Sequence, residues 1–477
     1  MLHFRSSNGA IGDAIPFFHK GEYHLFYLRA KPVEDFEQRA CTPWGHIVSK
    51  DLLSWTELPI AILPSDEEDA PDHAACWTGS VIEHNGTFHM YYTGGKFAKP
   101  LFMQSICHAT SSDLVSWQKD EQNPIITPDP SWYEDGDWRD PFVYWNERDR
   151  RFEMLIAARN KNGWLPRRGC LAVATSFDLK DWSVKSPVWE PYVTHVLECP
   201  ERFRIGSQEY LAYSTYSEDN VTHYRLIDGE GRFHSPGSND AIDGRFYYAA
   251  KGLYDGKDRI TFGWIPEVTG MKDEGQVMWA GDLGIPHVLK ARKDGSLKVY
   301  YPEIYRKAFT RKIDFKKVAI HGDVKAAKDQ FSLRSDHGTS LILFEPQPQI
   351  FYMRFSLAMK KTTESSGLIL NGDRDLDHGY FLEFVNASRC LRLFKYPIGD
   401  RQRKRKILVQ RTMPFDVRGV VVEVFYEKGL MTVFVNESAC LTARMYDTGD
   451  LFGFFVQSGS ATCRKIAISL PSIDGKS

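Results

Sequence analysis

No Cys-x-x-Cys pair occurs in this chain; its eight cysteines lie apart at 41, 76, 107, 170, 199, 390, 440 and 463. That spacing is not that of a small disulfide scaffold. No long apolar run is present, so no membrane-spanning helix is expected. The first residues, MLHFRSSNGAIGD, carry neither the basic nor the apolar segment of a secretion leader. Cytoplasmic residence is therefore the expectation, with secretion left open for a chain whose leader has been removed. Neither sign of charge is in excess, since 60 Lys and Arg face 62 Asp and Glu. Nothing in that balance drives the chain onto nucleic acid. The one basic run, RQRKRK at 401–406, follows the turn-like KYPIGD and reads as a solvated hairpin end. Long helical patterns find no place anywhere.

What is present is aromatic and repetitive. The 477 residues suit two domains, and 42% apolar content is enough for substantial cores. Twelve Trp and 22 Tyr offer rings with polar edges, suited to a wet cleft that stacks on sugar-like faces. Three segments share the pattern Ser-x-Asp-Leu-x-x-Trp: SKDLLSW at 49–55, SSDLVSW at 111–117 and SFDLKDW at 176–182. Each follows a strand-like stretch, so Asp is expected to make a turn by bonding its own backbone. Leu and Trp then plug the gap beneath the next strand.

A second series interleaves with the first. Candidate hairpins follow Asp13, Trp77, Asp140, Glu198 and Asp243, at separations of 64, 63, 58 and 45 residues. Turns such as HKGEY, EHNGTF, NERDRRF and YDGKDR divide them. Five near-equal all-β units predict a five-bladed β-propeller, which closes without long free edges. After LKVYYPEIY the texture changes to alternating strands with short turns, which predicts a two-sheet β-sandwich. The expected organisation is an all-β propeller over residues 1–305 followed by a sandwich over 306–477.

In a propeller the first strand of each blade lines the central channel. Asp13, Asp140, Glu198 and Asp243 are expected to converge at one end of it. Like charges brought together raise one another's proton affinity, so such a cluster implies acid–base chemistry or a metal. A calcium loop with closely spaced oxygens is missing, and no His pair stands at ligand spacing. No metal and no cofactor are expected. Glycosidic cleavage fits better, because it needs one carboxylate and one protonated carboxyl. Short Asp13 suits the nucleophile, and longer Glu198 suits the acid/base. Asp140, in Trp138-Arg139-Asp140-Pro141, suits an ionised acceptor of sugar hydroxyls, with Arg139 beside it donating to the sugar or holding a carboxylate. Trp44, Trp77, Phe17 and Trp138 are expected near the channel mouth. Ser80 is expected to bond the Asp13 side, with Gln104 and Asp243 as further contacts.

At these residues the sequence resembles the β-fructofuranosidase group of glycoside hydrolases, the invertases, levanases and inulinases. The matching pieces are IGDAIPFFHKGEYHLFYL, WGHIVSKDLLSW, CWTGSV, WRDP, ECP and DGRFYYA, in that order. The resemblance implies a five-bladed propeller, a C-terminal sandwich and a retaining double displacement. It implies Asp13 as nucleophile, Asp140 as transition-state stabiliser and Glu198 as acid/base. Its substrates are β-D-fructofuranosides, including sucrose and fructans, with water or a second sugar resolving the fructosyl-enzyme. The chain departs at the first motif, where Trp-Met-Asn-Asp-Pro-Asn-Gly is replaced by Ile11-Gly12-Asp13-Ala14-Ile15 and its neighbours. The leaving-group preference is thereby open.

Competing readings are a propeller glycosidase acting on another furanoside such as an α-L-arabinofuranoside, a mannoside phosphorylase on the same scaffold, and a non-catalytic sugar-binding propeller. Carbohydrate is the expected partner, with no nucleic acid and no membrane. The sandwich can supply a dimer face, so monomer and homodimer both fit.

Overall fold

The structure is a computed structural model that describes residues 2–98, 101–237, 239–327, 330–374, 376, 378–396 and 406–472. The basic run at 401–405 lies outside the described residues. Two all-β bodies follow each other along the chain. The first is a propeller of five blades, each an antiparallel meander.

Blade one comprises β1 (Ala10–His19), β2 (Glu22–Ala30), β3 (Trp44–Ser49) and β4 (Thr56–Ile62), with a short helix α1 (Phe36–Ala40) between β2 and β3. Blade two is β5 (Ala75–His84), β6 (Thr87–Ala98), β7 (Leu101–Ser111) and β8 (Gln118–Lys119). Blade three is β9 (Tyr133–Asn146), β10 (Arg151–Asn160), β11 (Gly169–Ser176) and β12 (Ser183–Trp189). Blade four is β13 (Glu198–Ile205), β14 (Gln208–Thr215), β15 (Val221–Ile227) and β16 (Phe233–His234). Blade five contains β17 (Tyr248–Tyr254), β18 (Arg259–Val268), β20 (His287–Ala291) and β21 (Leu297–Tyr300). Between β18 and β20 an extra strand, β19 (Val277–Leu283), pairs with β18 and reaches across to β1, where Ile11 lies opposite Gly281. That pairing joins the fifth blade to the first and closes the ring.

The three Ser-x-Asp-Leu-x-x-Trp segments make the same turn three times. Ser49, Ser111 and Ser176 hydroxyls accept the N–H of Leu52, Leu114 and Leu179 at 2.9, 3.0 and 2.9 Å. Asp51, Asp113 and Asp178 each accept two further backbone N–H groups on the exposed side. Each Leu is held at left-handed φ, 69°, 64° and 65°, a strain the buried side chain offsets. The leucines are at most 3% exposed and fill the seams between neighbouring blades. Tyr91 of β6 donates to the Leu179 carbonyl at 2.7 Å, tying blade two to blade three.

After β21 comes a short helix, α2 (Glu303–Lys307), and then strands from Arg311–Ile313 to Leu451–Leu470. The 20-residue final strand belongs to both layers of a sandwich. Its first part pairs with Ser365–Gly372, and its second part with Ile350–Met359. Phe351, Met353, Leu368, Leu382, Val422 and Val433 are among the buried side chains that fill the space between the layers. The sandwich also grips the propeller. The backbone N–H groups of Leu2 and His3 donate to Glu427 at 2.7 and 2.9 Å, which pins the segment leading into β1. Among the described residues, no helix is long and apolar enough to cross a membrane.

All eight cysteines are free thiols, and only Cys41 and Cys390 are not buried. A thiol reagent applied to the native protein is therefore expected to titrate at most these two, with the other six reacting only after denaturation. Fast labelling of a third thiol under native conditions contradicts this packing.

Candidate active site

A strand normally turns successive side chains to opposite faces, so a channel strand offers every second residue to the axis. All five innermost strands of this propeller break that rule at the same level. In β1 the pairing passes from Ile11 opposite Arg29 to Ala14 opposite Tyr27, which leaves one extra residue on β1. The same one-residue bulge recurs between Trp77 and Gly79, Arg139 and Phe142, Glu198 and Glu201, and Tyr248 and Lys251. A bulge re-aims side chains and lets consecutive residues face one way. Asp140, Cys199 and Ala249 take left-handed φ at these bulges, 57°, 48° and 49°. This is why Arg139 and Asp140, adjacent in sequence, both line one pocket.

That pocket has a volume of about 550 Å³ and sits at the axis. Asp13, Asp140 and Glu198 line it, contributed by blades one, three and four. Asp13 accepts from the Thr78 hydroxyl at 2.6 Å, the Trp264 indole N–H at 2.8 Å and the Cys199 thiol at 3.5 Å. Asp140 accepts the Cys199 backbone N–H at 2.8 Å and stands 3.9 Å from the Arg139 Nε. Glu198 is held at both oxygens, by Arg139 at 3.0 Å and by the Tyr248 hydroxyl at 2.5 Å. Burial pushes the proton affinity of all three carboxyls up. The charge of Glu198 pushes Asp13 further up, Asp13 does so for Asp140, and Asp140 for Glu198. Against these acids stand Arg139, which also pairs with Asp137, and the buried Lys251, whose ammonium donates to the Gly79 carbonyl at 2.6 Å. Two cations shared among four carboxyls favour keeping a proton in the cluster.

Arg139 and Gln104 line the pocket, and Gln104 accepts from the Trp138 N–H and from Arg139 at 3.1 and 3.3 Å. Trp77 forms part of the wall, fixed by its indole N–H to the Ala40 carbonyl at 2.7 Å. Four other expectations are corrected. Trp44 and Trp138 are fully buried, and Trp44 spends its N–H on the Trp77 carbonyl. Phe17 stacks edge-on against Phe88 in the seam of blades one and two, away from the pocket. Ser80 accepts the Val143 N–H and ties blade two to blade three; Thr78, two residues earlier, reaches Asp13 instead. Gly79 between them has no room for a Cβ, which would fall 1.8 Å from the Tyr91 carbonyl oxygen of the neighbouring strand.

Asp243 is the largest correction. The first strand of blade five begins only at Tyr248, so Tyr248 occupies the position that Arg139 and Glu198 hold in their blades. Asp243 is buried at the seam with the sandwich. It accepts from His287 at 3.0 Å and from the Thr442 N–H and hydroxyl at 2.9 and 2.6 Å. Burial raises its proton affinity, but His287, Arg411 and Thr442 outweigh burial and hold it below the usual carboxylate range. Cys440 lies close enough to complete a three-ligand set with Asp243 and His287, yet Arg411 stands 3.7 Å from its sulfur. The cluster is a pin between the two bodies.

Residues that the sequence reading passed over complete the site: Thr78, Asp137, Tyr248, Lys251, Trp264 and Trp279. Thr78 lay inside the quoted CWTGSV, and Tyr248 inside DGRFYYA. Trp279 comes from β19 and covers Gly12, where an added Cβ would fall 2.6 Å from the indole ring. The altered motif around Asp13 thus makes space for an aromatic wall.

The five blades and the three carboxyls that meet on one axial pocket define the class of fold and site. The chain belongs to glycosyl hydrolases family 32, whose N-terminal domain matches residues 3–302. It is 31% identical over 361 residues to a 6(G)-fructosyltransferase of Asparagus officinalis, covering 67% of this chain and 57% of that protein. It is 26% identical over 341 residues to an insoluble β-fructofuranosidase isoenzyme of Arabidopsis thaliana, covering 63% of this chain and 58% of that protein. The chain thus spans less than three fifths of the length of either relative. Among solved structures, exo-inulinase from Aspergillus awamori superposes with a TM-score of 0.74 at 21% identity, over 99% of this chain and 98% of that one. Fructan 1-exohydrolase IIa from Cichorium intybus gives 0.71 at 17% identity, over 97% and 96%. These likenesses bear out the all-β propeller-and-sandwich architecture.

Replacing Asp243 by Ala strands the Thr442 and His287 donors in the seam. The expected cost is about 3 kcal/mol in denaturant unfolding, with turnover per folded molecule little changed. Lost turnover at an unchanged midpoint would return Asp243 to substrate binding.

Proposed function

We propose that this protein is a retaining glycoside hydrolase of β-D-fructofuranosides, acting on sucrose, fructo-oligosaccharides or fructan ends. The observation that carries the reading is the convergence of Asp13, Asp140 and Glu198 on one pocket, each with a different set of partners. Asp13, fixed by Thr78 and Trp264, attacks the anomeric carbon. Glu198 gives its proton to the leaving oxygen as the glycosidic bond breaks. Glu198 then takes a proton from water, whose oxygen attacks the anomeric carbon and releases Asp13. Asp140, ionised beside Arg139 and Lys251, accepts furanose hydroxyls and stabilises positive charge at the anomeric centre.

Transfer to a second sugar is supported by the rim. Phe36, Val277, Met278 and Trp279 line the pocket with apolar surface on which an acceptor ring can stack in place of water. Phe36, 60% exposed, stands on the short helix α1. Buried Arg39 of the same helix bonds the Trp279 carbonyl and pairs with Glu267 at 2.6 Å, so the two sides of the rim are fastened together.

A screen over sucrose, inulin, levan and short fructosides with product analysis tests the reading; fructose, or a fructosylated sugar, is the expected product in the retained configuration. Glu198→Gln is expected to lower kcat on sucrose by about 10³-fold, and far less on a fructoside whose leaving group needs no proton. Equal losses on both substrates would remove Glu198 from the acid role.

Tyr248 donates to Glu198 and favours its ionised form. Tyr248→Phe therefore raises the proton affinity of Glu198. The basic limb of the kcat/KM profile, where Glu198 loses its proton, is expected to move up by about one pH unit. A limb that stays or moves down contradicts the assignment.

A further inference from the structure

The rim of the pocket owes its shape to an irregularity in β19. Between the pairs Pro266–Gly281 and Val268–Val277, β18 contributes one residue, Glu267, and β19 contributes three, Met278, Trp279 and Ala280. The sheet is thus bulged where β19 lines the pocket. A bulge takes backbone groups out of the ladder, and buried ones need another partner. Ala280 completes it at a left-handed φ of 69°, a conformation disfavoured for any residue with a Cβ.

The group that holds this bulge is Arg39 of α1. Its side chain is buried, and each of its five N–H groups meets an acceptor. Nε donates to the Trp279 carbonyl and Nη2 to the Ala280 carbonyl at 3.3 Å, so the peptide groups on both sides of Ala280 are gripped. Nη2 also pairs at 2.6 Å with Glu267, the residue opposite the bulge. Nη1 donates to the Val33 and Lys31 carbonyls at 2.9 and 3.5 Å, on the segment that leads into α1. What this fork fixes is the direction of the Trp279 ring. That ring lies against Gly12 of β1, and it stands edge-on to Trp264 with centroids 6.2 Å apart and planes at 74°. Trp264 in turn donates to Asp13.

From this arrangement we infer that Arg39 is a positioning residue for the sugar acceptor: by fixing the β19 bulge it keeps the Trp279 ring where an acceptor can stack, and so sets how the fructosyl-enzyme divides between sugar and water. This rests on the fructoside reading above and adds to it the residue that governs the partition. In transfer, a hydroxyl oxygen of the acceptor attacks the anomeric carbon, its proton passes to Glu198, and the bond to Asp13 breaks. Water follows the same course in hydrolysis and needs no ring to stack on. A displaced Trp279 therefore harms the first fate far more than the second, and a shift of about 1 Å is enough for a large loss.

The test measures the ratio of newly fructosylated sugar to free fructose, with sucrose and with short fructosides, over a range of concentrations. In wild type that ratio is expected to rise as sugar is added. Arg39→Gln is expected to lower it by about tenfold, and Arg39→Lys, with three donors in place of five, to recover part. With Trp279→Leu already present, Arg39→Gln is expected to change the ratio by less than about twofold, because the ring it positions is gone. Gly12→Ala crowds the same ring from β1 and is expected to lower the ratio with Arg39 intact; it carries the test if Arg39→Gln does not fold. A wild type that cleaves fructosides and makes no fructosylated sugar overturns the inference. So does an Arg39→Gln enzyme that slows both fates alike, or one whose ratio falls equally in both Trp279 backgrounds. Acrylamide quenching of tryptophan fluorescence, taken as the difference between each protein and its Trp279→Leu counterpart, separates the clamp from the fructosidase reading. If wild type cleaves no fructoside, that reading fails. Greater quenching of Trp279 in Arg39→Gln then still supports the positioning role, and unchanged quenching overturns it.

Discussion

The site depends on a single guanidinium. Arg139 donates to Asp137 and to Glu198, stands beside Asp140, and is itself buried. Without it, carboxyls from three blades would face one another with only Lys251 to offset them, and burial would drive them all to the neutral form. A neutral cluster holds no carboxylate. A fully ionised one holds no proton. Arg139 holds the group between these limits, and its surroundings explain how: Gln104 shares its Nη1, and Asp137 is in turn steadied by Arg159 and His195 at 3.6 Å each.

Arg139 and Asp140 can act together only because the strand is bulged between Arg139 and Phe142. The same irregularity recurs in every blade, so it is a property of the repeat, and the chemistry has been laid over it unevenly. Blade one uses the bulge for Asp13, blade two for Trp77 and Thr78, blade three for Arg139 and Asp140, blade four for Glu198, and blade five for Tyr248. One backbone device thus presents five different kinds of side chain at one level of the channel.

That device also marks where the sequence was legible. Five hairpins of near-equal spacing and a change of texture after residue 300 were enough for the architecture, because blade repetition and strand alternation are both local patterns. Asp13, Asp140 and Glu198 were readable because each opens a hairpin. Ser80 was named and Thr78 was not: simple alternation puts the two on one face, and the one-residue bulge between Trp77 and Gly79 parts them. Asp243 was misplaced because blade five begins at Tyr248, and no feature of SNDAIDGRFYY announces that its second acid turns toward the sandwich. Trp264, Trp279 and Lys251 come from strands remote in sequence from Asp13, and a strand pattern does not reveal which blade its neighbours are.

The seam between β1 and β19 ties these levels together. β1 carries Asp13, β19 carries Trp279, and their pairing is also what shuts the ring. The chain's earliest strand pairs with β2 at once but meets its ring-closing partner only some 270 residues later, and the sandwich clamps the lead-in through Glu427. Closure of the circle and completion of the pocket are consequently one event. A ring sprung open at this seam keeps most of its blades but parts Asp13 from Trp279, so an intact pocket doubles as a certificate that the whole circuit has been joined.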